Sequence, residues 1–518
     1  MIVGVNTHHT GAEAGPQPDI NTLLASLGEG KSYTSSTAYD TAWTAQLVPH
    51  FPQSGFESSL TWLRSHQHQD GSWGANILHY HDRIISTLSA VIALAKIGDL
   101  ADKTRIDAGT RFLWHNVDRL RYDADDTIGF PLLIAALITE GLAVDLDIPR
   151  HIAANIDVVK KKLSMITAQP ADLRYTTLAY SLEAIMDYLP HGERFDFTAP
   201  GFNVGTSPSA TAASLLNPNT FVQGSLDYLQ QIVRQQADGG TPTVDPIDVF
   251  ECAWTLNNLR AAGAVSPDDP QVRPLLDFLY RVWNPQCGLT YSSCFRVTDL
   301  DDTAEAFMVL RWGGYDVSAD VFSSYEEENH FRCFYGEANP SLSANIRLLG
   351  ALQMHRDHPQ FEKWSNKIVR MLMTHDREGY FWFDKWHISP YYPTTYAIPI
   401  LHMMGVQPLG ASMLGDDKLA RRVKWLLKTQ QRDGGWGYYG SSTAEETAYS
   451  LQALVYWHTQ VERMDLIPLH AAAAFLRKCG PLEHQPALWI GKGLYTPYKV
   501  VSSAVLMALH SYQQMGAA

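Results

Sequence analysis

The sequence predicts an all-α fold that is divided into more than one domain. Apolar residues recur at the spacing of a buried helix face, as in Ile85, Leu88 and Ile92. Runs that alternate apolar and polar residues, as half-buried strands do, are nearly absent. The chain has 518 residues, of which 45% are hydrophobic, so it can bury a large core and fill two or three domains of roughly 150 residues.

Clusters of glycine, proline, asparagine and aspartate separate the helical stretches. Residues 208–218 and 238–246 are two such clusters, and both are predicted to be loops. Because the loops recur between helices of similar length, pairs of helices are the predicted structural unit.

Two turn motifs resemble each other although they lie in opposite halves of the chain. Residues 69–74 read QDGSWG, and residues 433–437 read DGGWG and are preceded by Gln431. The glycines permit a tight turn, and the tryptophan can pack on a neighbouring helix end. Each motif resembles the QW repeat of α/α barrels, so two barrel-like helical domains are expected.

Composition and charge exclude several classes of protein. Lys and Arg number 40 against 54 Asp and Glu, a net charge of −14, so binding to nucleic acid is not expected. The sequence shows neither a signal segment nor a run of ~20 apolar residues, and a cytoplasmic protein without membrane insertion is expected. Five cysteines without a CxxC pair give no zinc pattern and no expectation of disulfides.

The sharpest chemical signal is the acidic run at residues 299–303, DLDDT, which precedes an apolar helical stretch. One interpretation is that Asp302 or Thr303 caps that helix. The other is that crowding and burial raise the pKa of one carboxyl and keep it protonated. Residues 123–127, DADDT, have the same spacing before a different stretch, so spacing alone does not decide.

Context favours the chemical interpretation. Residues 299–302 together with residues 36–43, STAYDTAW, resemble the paired signature of class II diterpene cyclases. The similarity continues in order through residues 81–84, 176–183, 317–322 and 383–386. The resemblance implies an enzyme that protonates geranylgeranyl diphosphate and closes two rings without removing the diphosphate.

The resemblance also implies roles for individual residues. Asp301 would be the general acid, Asp299 and Asp302 would hold it, and Asn345 would orient it directly or through a water molecule. Lys385 and one of three neighbouring lysines would bind the diphosphate with bridging Mg²⁺. The candidates for that second lysine, which can equally form an exposed helix face, are Lys160, Lys161 and Lys162.

Other candidates rest on weaker signals. Arg174 and Arg234 are further candidates for diphosphate binding, and Glu140 and Glu183 for Mg²⁺, although either glutamate can be a surface residue. A carbocation needs aromatic walls, and the tryptophans and tyrosines considered for them are Trp283, Trp312, Tyr335 and, beside Lys385, Trp386.

The sequence departs from the family in two places. Plant ent-copalyl diphosphate synthases end the reaction with a His–Asn dyad, and the matching positions are Tyr180 and Thr243. An Asp-rich DDxxD site is also missing, so the product should keep its diphosphate. The length suits the two-domain βγ form, with residues 1–30 and 276–518 forming the β domain and residues 31–275 the inserted γ domain.

Several alternatives stay open. The same chemistry on farnesyl diphosphate would give drimenyl diphosphate, and the halimadienyl, kolavenyl and copalyl skeletons are all compatible with a C20 substrate. A protein prenyltransferase subunit, or a binding module without catalysis, would use the same barrel. The expected partner is a small-molecule prenyl diphosphate, and a homodimer is one open quaternary structure.

Overall fold

The structure is a computed structural model that describes residues 19–153, 170–186, 189, 195–337, 339–405 and 416–517. The all-α prediction is confirmed. The α-helices, numbered α1 to α18 in chain order within the described residues, are Ile20–Ser26, Ala38–Ala45, Glu57–Ser65, Tyr80–Ile97, Lys103–Asn116, Phe130–Ala143, Pro208–Leu216, Gln223–Gln235, Asp248–Ala261, Arg273–Val282, Leu300–Trp312, Leu342–Leu352, Phe361–Thr374, Tyr391–Met404, Asp416–Thr429, Ala444–Gln460, Ile467–Lys478 and Tyr498–Ala517. None of the described helices has the length and apolar composition of a membrane span.

The helices pack around two large hydrophobic cores. One core takes its buried residues from positions 38–233, and the other from positions 24–27 and 244–508 together with Tyr180. The buried residues of 244–275 therefore pack in the second core, whereas the sequence analysis placed them in the inserted γ domain, residues 31–275. Helix α9, which lies within these residues, packs against α11 and α18 of the second core. Local sequence patterns do not predict such contacts between distant segments.

The two predicted turn motifs are built alike. Trp73 and Trp436 are fully buried, and each indole donates a 2.8 Å hydrogen bond to the last turn of the preceding helix, at Leu63 and Leu426. Trp382 makes the same 2.8 Å bond to Leu372, so a third copy exists that the sequence reading missed.

The glutamine of the motif was placed at the wrong position. Gln67 and Gln430, rather than Gln69 and Gln431, join the turn to the next helix. The amide of Gln430 donates to Gly434 and Pro468 at 2.8 Å, and that of Gln67 to Gly71 and Arg105 at 2.9 and 3.0 Å.

The loop predicted at residues 208–218 is wrong over most of its length, because Pro208–Leu216 is helix α7. Proline is well tolerated at the first position of a helix, where its missing N–H has no intrahelical partner. Ser207 completes the start by accepting a hydrogen bond from Ala210 N. The loop predicted at residues 238–246 is confirmed.

A short hairpin joins the two halves. Its strands β1 and β2 are Trp489–Ile490 and Leu494–Tyr495. At its turn Lys492 enters the first half, where its ammonium lies 2.5 Å from Glu183 and 2.6 Å from Ser207 Oγ, fully buried. The carbonyl of Gly491 also accepts from Ile128 N at 2.9 Å. The hairpin is thereby fixed between the two cores.

Gly434→Ala tests the turn motif. At Gly434 φ is +91°, and an added Cβ would lie 2.6 Å from Ala471 O, so both strain and overlap oppose a side chain. Gly440 has φ +103° and open space around it. We expect Gly434→Ala to destabilise by about 2–4 kcal/mol and the control Gly440→Ala by about 1–2 kcal/mol. Thermal melts should show a clearly larger drop for Gly434→Ala; equal drops would contradict the steric argument.

Candidate active site

The acidic run lies at the start of α11. Asp299 is the cap, since its Oδ1 accepts a 2.8 Å hydrogen bond from Asp302 N. The interpretation that Asp302 or Thr303 caps this helix is therefore wrong, because the cap lies three or four residues earlier in the chain. Asp301 and Asp302 occupy the first turn, and all three carboxyl groups are buried. The sequence builds this start because an aspartate in extended backbone can satisfy a free N–H of the turn.

A cavity between the two cores reaches the acidic run. Of the nineteen described residues that line it, nine are aromatic and none is lysine or arginine. The cavity is lined by Ile128, Thr177, Tyr180, Val244, Ile247, Phe250, Trp254, Tyr291, Phe295, Asp299, Asp301, Asp302, Cys333, Phe334, Trp386, Trp489, Ile490, Gly491 and Tyr495. It is an apolar, aromatic-walled space in which three carboxyls supply most of the polarity.

Burial controls the ionisation of the three carboxyls. It raises the pKa of Asp301 to about 7 against the opposing charge of Arg347. Burial also raises the pKa of Asp302 and of Asp299, and the acid of Asp302 donates to the carboxylate of Asp299. All three carboxyls line the cavity, and Asp301 is the one whose proton is not shared within that pair.

Arg347, on α12, is the partner of the acid that sequence reasoning missed. Its Nε lies 3.2 Å from Asp301 Oδ1, without the alignment of a hydrogen bond. The same guanidinium contacts Glu305, donates to Tyr392 OH at 2.7 Å, and lies 4.5 Å from the Trp254 ring. An arginine inside the apolar run of α12 was the available signal, because such a residue is buried only when it is paired.

Asn345, predicted to orient Asp301 directly or through a water molecule, makes its direct hydrogen bonds to other residues, and the water-mediated contact stays a prediction. Its Nδ2 donates to Phe331 O and Ser341 O, each at 2.8 Å, and its Oδ1 accepts from Phe331 N at 3.0 Å. Asn345 therefore braces the loop before α12. It lies two residues from Arg347, about 200° around the helix, so the two side chains point to different neighbours.

Tyr180 and Thr243, the two positions that replace the His–Asn dyad, lie together. Tyr180 OH is 3.1 Å from Thr243 O and 3.2 Å from Thr243 Oγ1, and Tyr180 lines the cavity. Burial raises the pKa of Tyr180 well above its usual value, so the phenol stays neutral.

The predicted cationic residues fall in different places. Lys385 contacts Glu337, donates to Asn339 O at 2.8 Å and lies 4.9 Å from the ring of Trp386, which lines the cavity as predicted. Arg234 is exposed on α8. Lys160, Lys161 and Lys162 lie outside the described residues.

Arg174 lies near the cavity together with an arginine that the sequence reading did not single out. Arg174 and Arg296 stand over the ring of Tyr175 at 4.7 and 5.4 Å. Thr177, three residues after Arg174, and Phe295, directly before Arg296, line the cavity. Among the other aromatic candidates, Trp283 and Trp312 pack on the second core, and Tyr335 is 84% exposed.

The two predicted Mg²⁺ ligands each lie beside a lysine. Glu140 lies 2.6 Å from Lys96, and Glu183 lies 2.5 Å from Lys492. Glu183 Oε2 is buried and has no hydrogen-bond partner among the described residues. The assignment of Glu140 and Glu183 to Mg²⁺ stays a prediction.

Comparisons with known proteins show which families the chain resembles. Residues 337–472 match the squalene-hopene cyclase C-terminal domain, and residues 34–119 the prenyltransferase alpha-alpha toroid domain. A type B diterpene cyclase of Mycobacterium tuberculosis is 31% identical over 509 residues, covering 94% of this chain and 97% of that protein. The ent-copalyl diphosphate synthase of Arabidopsis thaliana is 32% identical over 375 residues, covering 71% of this chain but only 46% of that protein.

Solved structures are similar as well. The ent-copalyl diphosphate synthase from Streptomyces platensis is 27% identical with a TM-score of 0.77, covering 96% of this chain and 99% of that one. The Arabidopsis enzyme in complex with (S)-15-aza-14,15-dihydrogeranylgeranyl thiolodiphosphate is 25% identical with a TM-score of 0.64, covering 94% of this chain and 62% of that one. The chain thus spans about half to three fifths of the Arabidopsis relative.

The proton on Asp301 can be titrated directly. Because burial favours the neutral form, the proton should be present below about pH 7 and lost above it. Difference infrared spectra of the wild type against Asp301→Asn should show a carboxylic acid band with a midpoint near that pH. A band lost already below pH 5 would show that Asp301 is an ordinary carboxylate.

Proposed function

The chain belongs to the class II diterpene cyclases, and we propose that it cyclises geranylgeranyl diphosphate to a bicyclic product that keeps its diphosphate. One observation carries this proposal: Asp301, a buried carboxyl whose pKa is raised to about 7, lies at the edge of an aromatic-walled cavity. The C20 substrate is supported by the geranylgeranyl analogue bound in the Arabidopsis structure, and diphosphate retention by the names of the copalyl diphosphate synthases. The prenyltransferase subunit and the non-catalytic module are set aside by family membership.

The reaction begins with proton transfer from Asp301. The terminal alkene of the substrate uses its π electrons to take the proton, which leaves a tertiary cation on carbon and a carboxylate on Asp301. Arg347 Nε, 3.2 Å away, is positioned to stabilise that new carboxylate. Because this charge exists only after the transfer, Arg347 strengthens the acid without holding the substrate.

The walls of the cavity protect the cation. Aromatic faces attract positive charge through their quadrupoles and are poor nucleophiles. Phe250 stands 4.3 Å from Trp254 and meets Trp489 edge-on at 5.4 Å, so the wall is continuous beside the acid. The next two alkenes along the chain then close two rings, while the alkene beside the diphosphate does not react. A proton leaves at the end, so the overall reaction is an isomerisation.

The end of the reaction depends on Tyr180 and Thr243. A neutral phenol bonded to Thr243 is a poor base, whereas an imidazole would take the proton early. We therefore propose that the cation undergoes hydride or methyl shifts before deprotonation. A rearranged skeleton of the halimadienyl or kolavenyl type is then favoured over ent-copalyl diphosphate.

The diphosphate is assigned to the arginine pair on Tyr175. Within the described residues Arg174 and Arg296 form no ion pair, whereas Lys385 is balanced by Glu337. The positive charge of Lys385 also acts to lower the pKa of Asp301, so this lysine lies on the side of the cavity that holds the acid. Lys385 and Mg²⁺ remain predictions for the diphosphate. Bound Mg²⁺ would neutralise the diphosphate.

Asp301→Asn tests the proposed function. Loss of the acid should reduce cyclisation by roughly 10²–10⁴-fold, since an amide cannot protonate an alkene. Asp126→Asn is the matched control, because Asp126 is an exposed carboxyl in the second acidic run. The proteins are incubated with C20 and C15 prenyl diphosphates, and the products are dephosphorylated and analysed by mass spectrometry. A C15 product alone, or more than a tenth of normal activity in Asp301→Asn, would refute the proposal.

Tyr180→His combined with Thr243→Asn tests how the reaction ends. The double variant introduces an imidazole base at the cavity wall, so we expect a product deprotonated before any rearrangement. Tyr180→Phe is the control, because it removes the hydroxyl without adding a base and should not give that product. If both variants keep the wild-type skeleton, these positions do not control deprotonation.

A further inference from the structure

The second acidic run, residues 123–127, has no role in the proposed reaction, yet its first carboxylate is held by two histidines. Asp123 Oδ2 lies 2.7 Å from His81 Nδ1 and 3.5 Å from His79 Nδ1. The three ligand atoms lie within 4.8 Å of one another. His79 caps α4, whose range is Tyr80–Ile97, and His81 lies in its first turn. All three side chains are mostly buried, at 2%, 13% and 6% exposure for His79, His81 and Asp123.

The ring of His79 lies between the start of α4 and the second acidic run. The backbone of Asp125 hydrogen-bonds to this ring, while Nδ1 faces Asp82 N at 3.4 Å and Asp123 Oδ2. Nδ1 therefore accepts a long hydrogen bond from the first turn of α4 and at the same time lies beside a carboxylate oxygen.

We propose that His79, His81 and Asp123 bind a divalent transition-metal ion of the Zn²⁺ class. Two imidazole nitrogens and one carboxylate oxygen suit Zn²⁺ or Co²⁺, whereas Mg²⁺ takes oxygen ligands. In a tetrahedral site with bonds of about 2.0 Å the ligand atoms are about 3.3 Å apart. The His79–Asp123 distance already fits, and the His81–Asp123 distance opens by about 0.6 Å when the ion replaces the hydrogen-bonding proton.

Hydrogen bonds from neighbouring backbone groups hold the three proposed ligands in place, as such bonds do in metal sites generally. The backbone of Asp125 hydrogen-bonds to the ring of His79 and helps to orient it. His81 N donates to Asp123 Oδ2 at 2.8 Å, which keeps the carboxylate at the start of α4. The fourth position is left for water, since His81 remains partly exposed.

The ion would join the start of α4 to residues 123–127, which lie next to the cavity in the first half of the chain. Residues 123–127 lead directly to Ile128, which lines the cavity and bonds to Gly491 of the hairpin. At the other end of the site, Asp82 in the first turn of α4 accepts from Leu494 N at 3.1 Å. The role assigned is structural: the ion ties α4 to the segment that supports the hairpin, away from the reacting atoms.

The test uses the full chain, purified without a polyhistidine tag and stripped with EDTA. Titration with Co²⁺ should give visible d–d absorption at one equivalent, Zn²⁺ should displace it and raise the melting temperature by several degrees, and millimolar Mg²⁺ should not displace it. His81→Ala and Asp123→Asn should each weaken Co²⁺ binding at least 10-fold.

His115→Ala is the matched control, because His115 is an exposed histidine on α5 of the same half, and it should bind Co²⁺ like the wild type. Absence of Co²⁺ absorption in the wild type would overturn the proposal without the use of any variant. So would unchanged binding in His81→Ala or Asp123→Asn, which would place the ion elsewhere. Because the readout is metal binding and melting temperature, it does not depend on the cyclase activity.

Discussion

The proposed chemistry depends on one carboxyl group, Asp301, whose pKa is raised toward neutral although it lies beside an arginine. Asp301 lies in the first turn of α11, where the helix dipole and Arg347 both favour a carboxylate. Burial nevertheless raises its pKa from 3.8 to about 7, which corresponds to about 4 kcal/mol in favour of the acid. Arg347 does not reverse this balance because its charge is shared with Glu305, which is fully buried. An arginine devoted to Asp301 alone would hold it ionised.

Burial of that carboxyl requires both halves of the molecule. The acid comes from the second core, whereas Ile128 and Thr177 reach the cavity from the first half. Lys492 joins the two by inserting its ammonium beside Glu183. A buried ion pair adds little net stability, but removal of one partner leaves an unpaired charge and is strongly destabilising. The pair therefore acts mainly as a positional constraint, and its position sets where Trp489 and Tyr495 meet the cavity.

Features encoded by neighbouring residues could be predicted from the sequence, and features made by distant contacts could not. The turns at Trp73 and Trp436 were visible because glycine and tryptophan stand side by side, whereas the turn at Trp382 lacks those glycines and was missed. Asp301 was found from its motif and context. Arg347 was not, because an arginine on a helix usually faces solvent. The pairing of Glu183 with Lys492 spans 309 residues, so no local pattern could predict that contact.

The two acidic runs show why spacing alone cannot assign chemistry. Asp123 and Asp301 belong to runs with the same DxDD spacing, and both are mostly buried. Burial opposes ionisation at Asp123 too, but the His81 ring and backbone N–H outweigh it and lower its pKa. Asp301 faces carboxyl neighbours and receives no such donors, so its pKa rises. One carboxylate is thereby made a ligand and the other an acid, and the difference lies in the donors that the fold brings to each, not in the run itself.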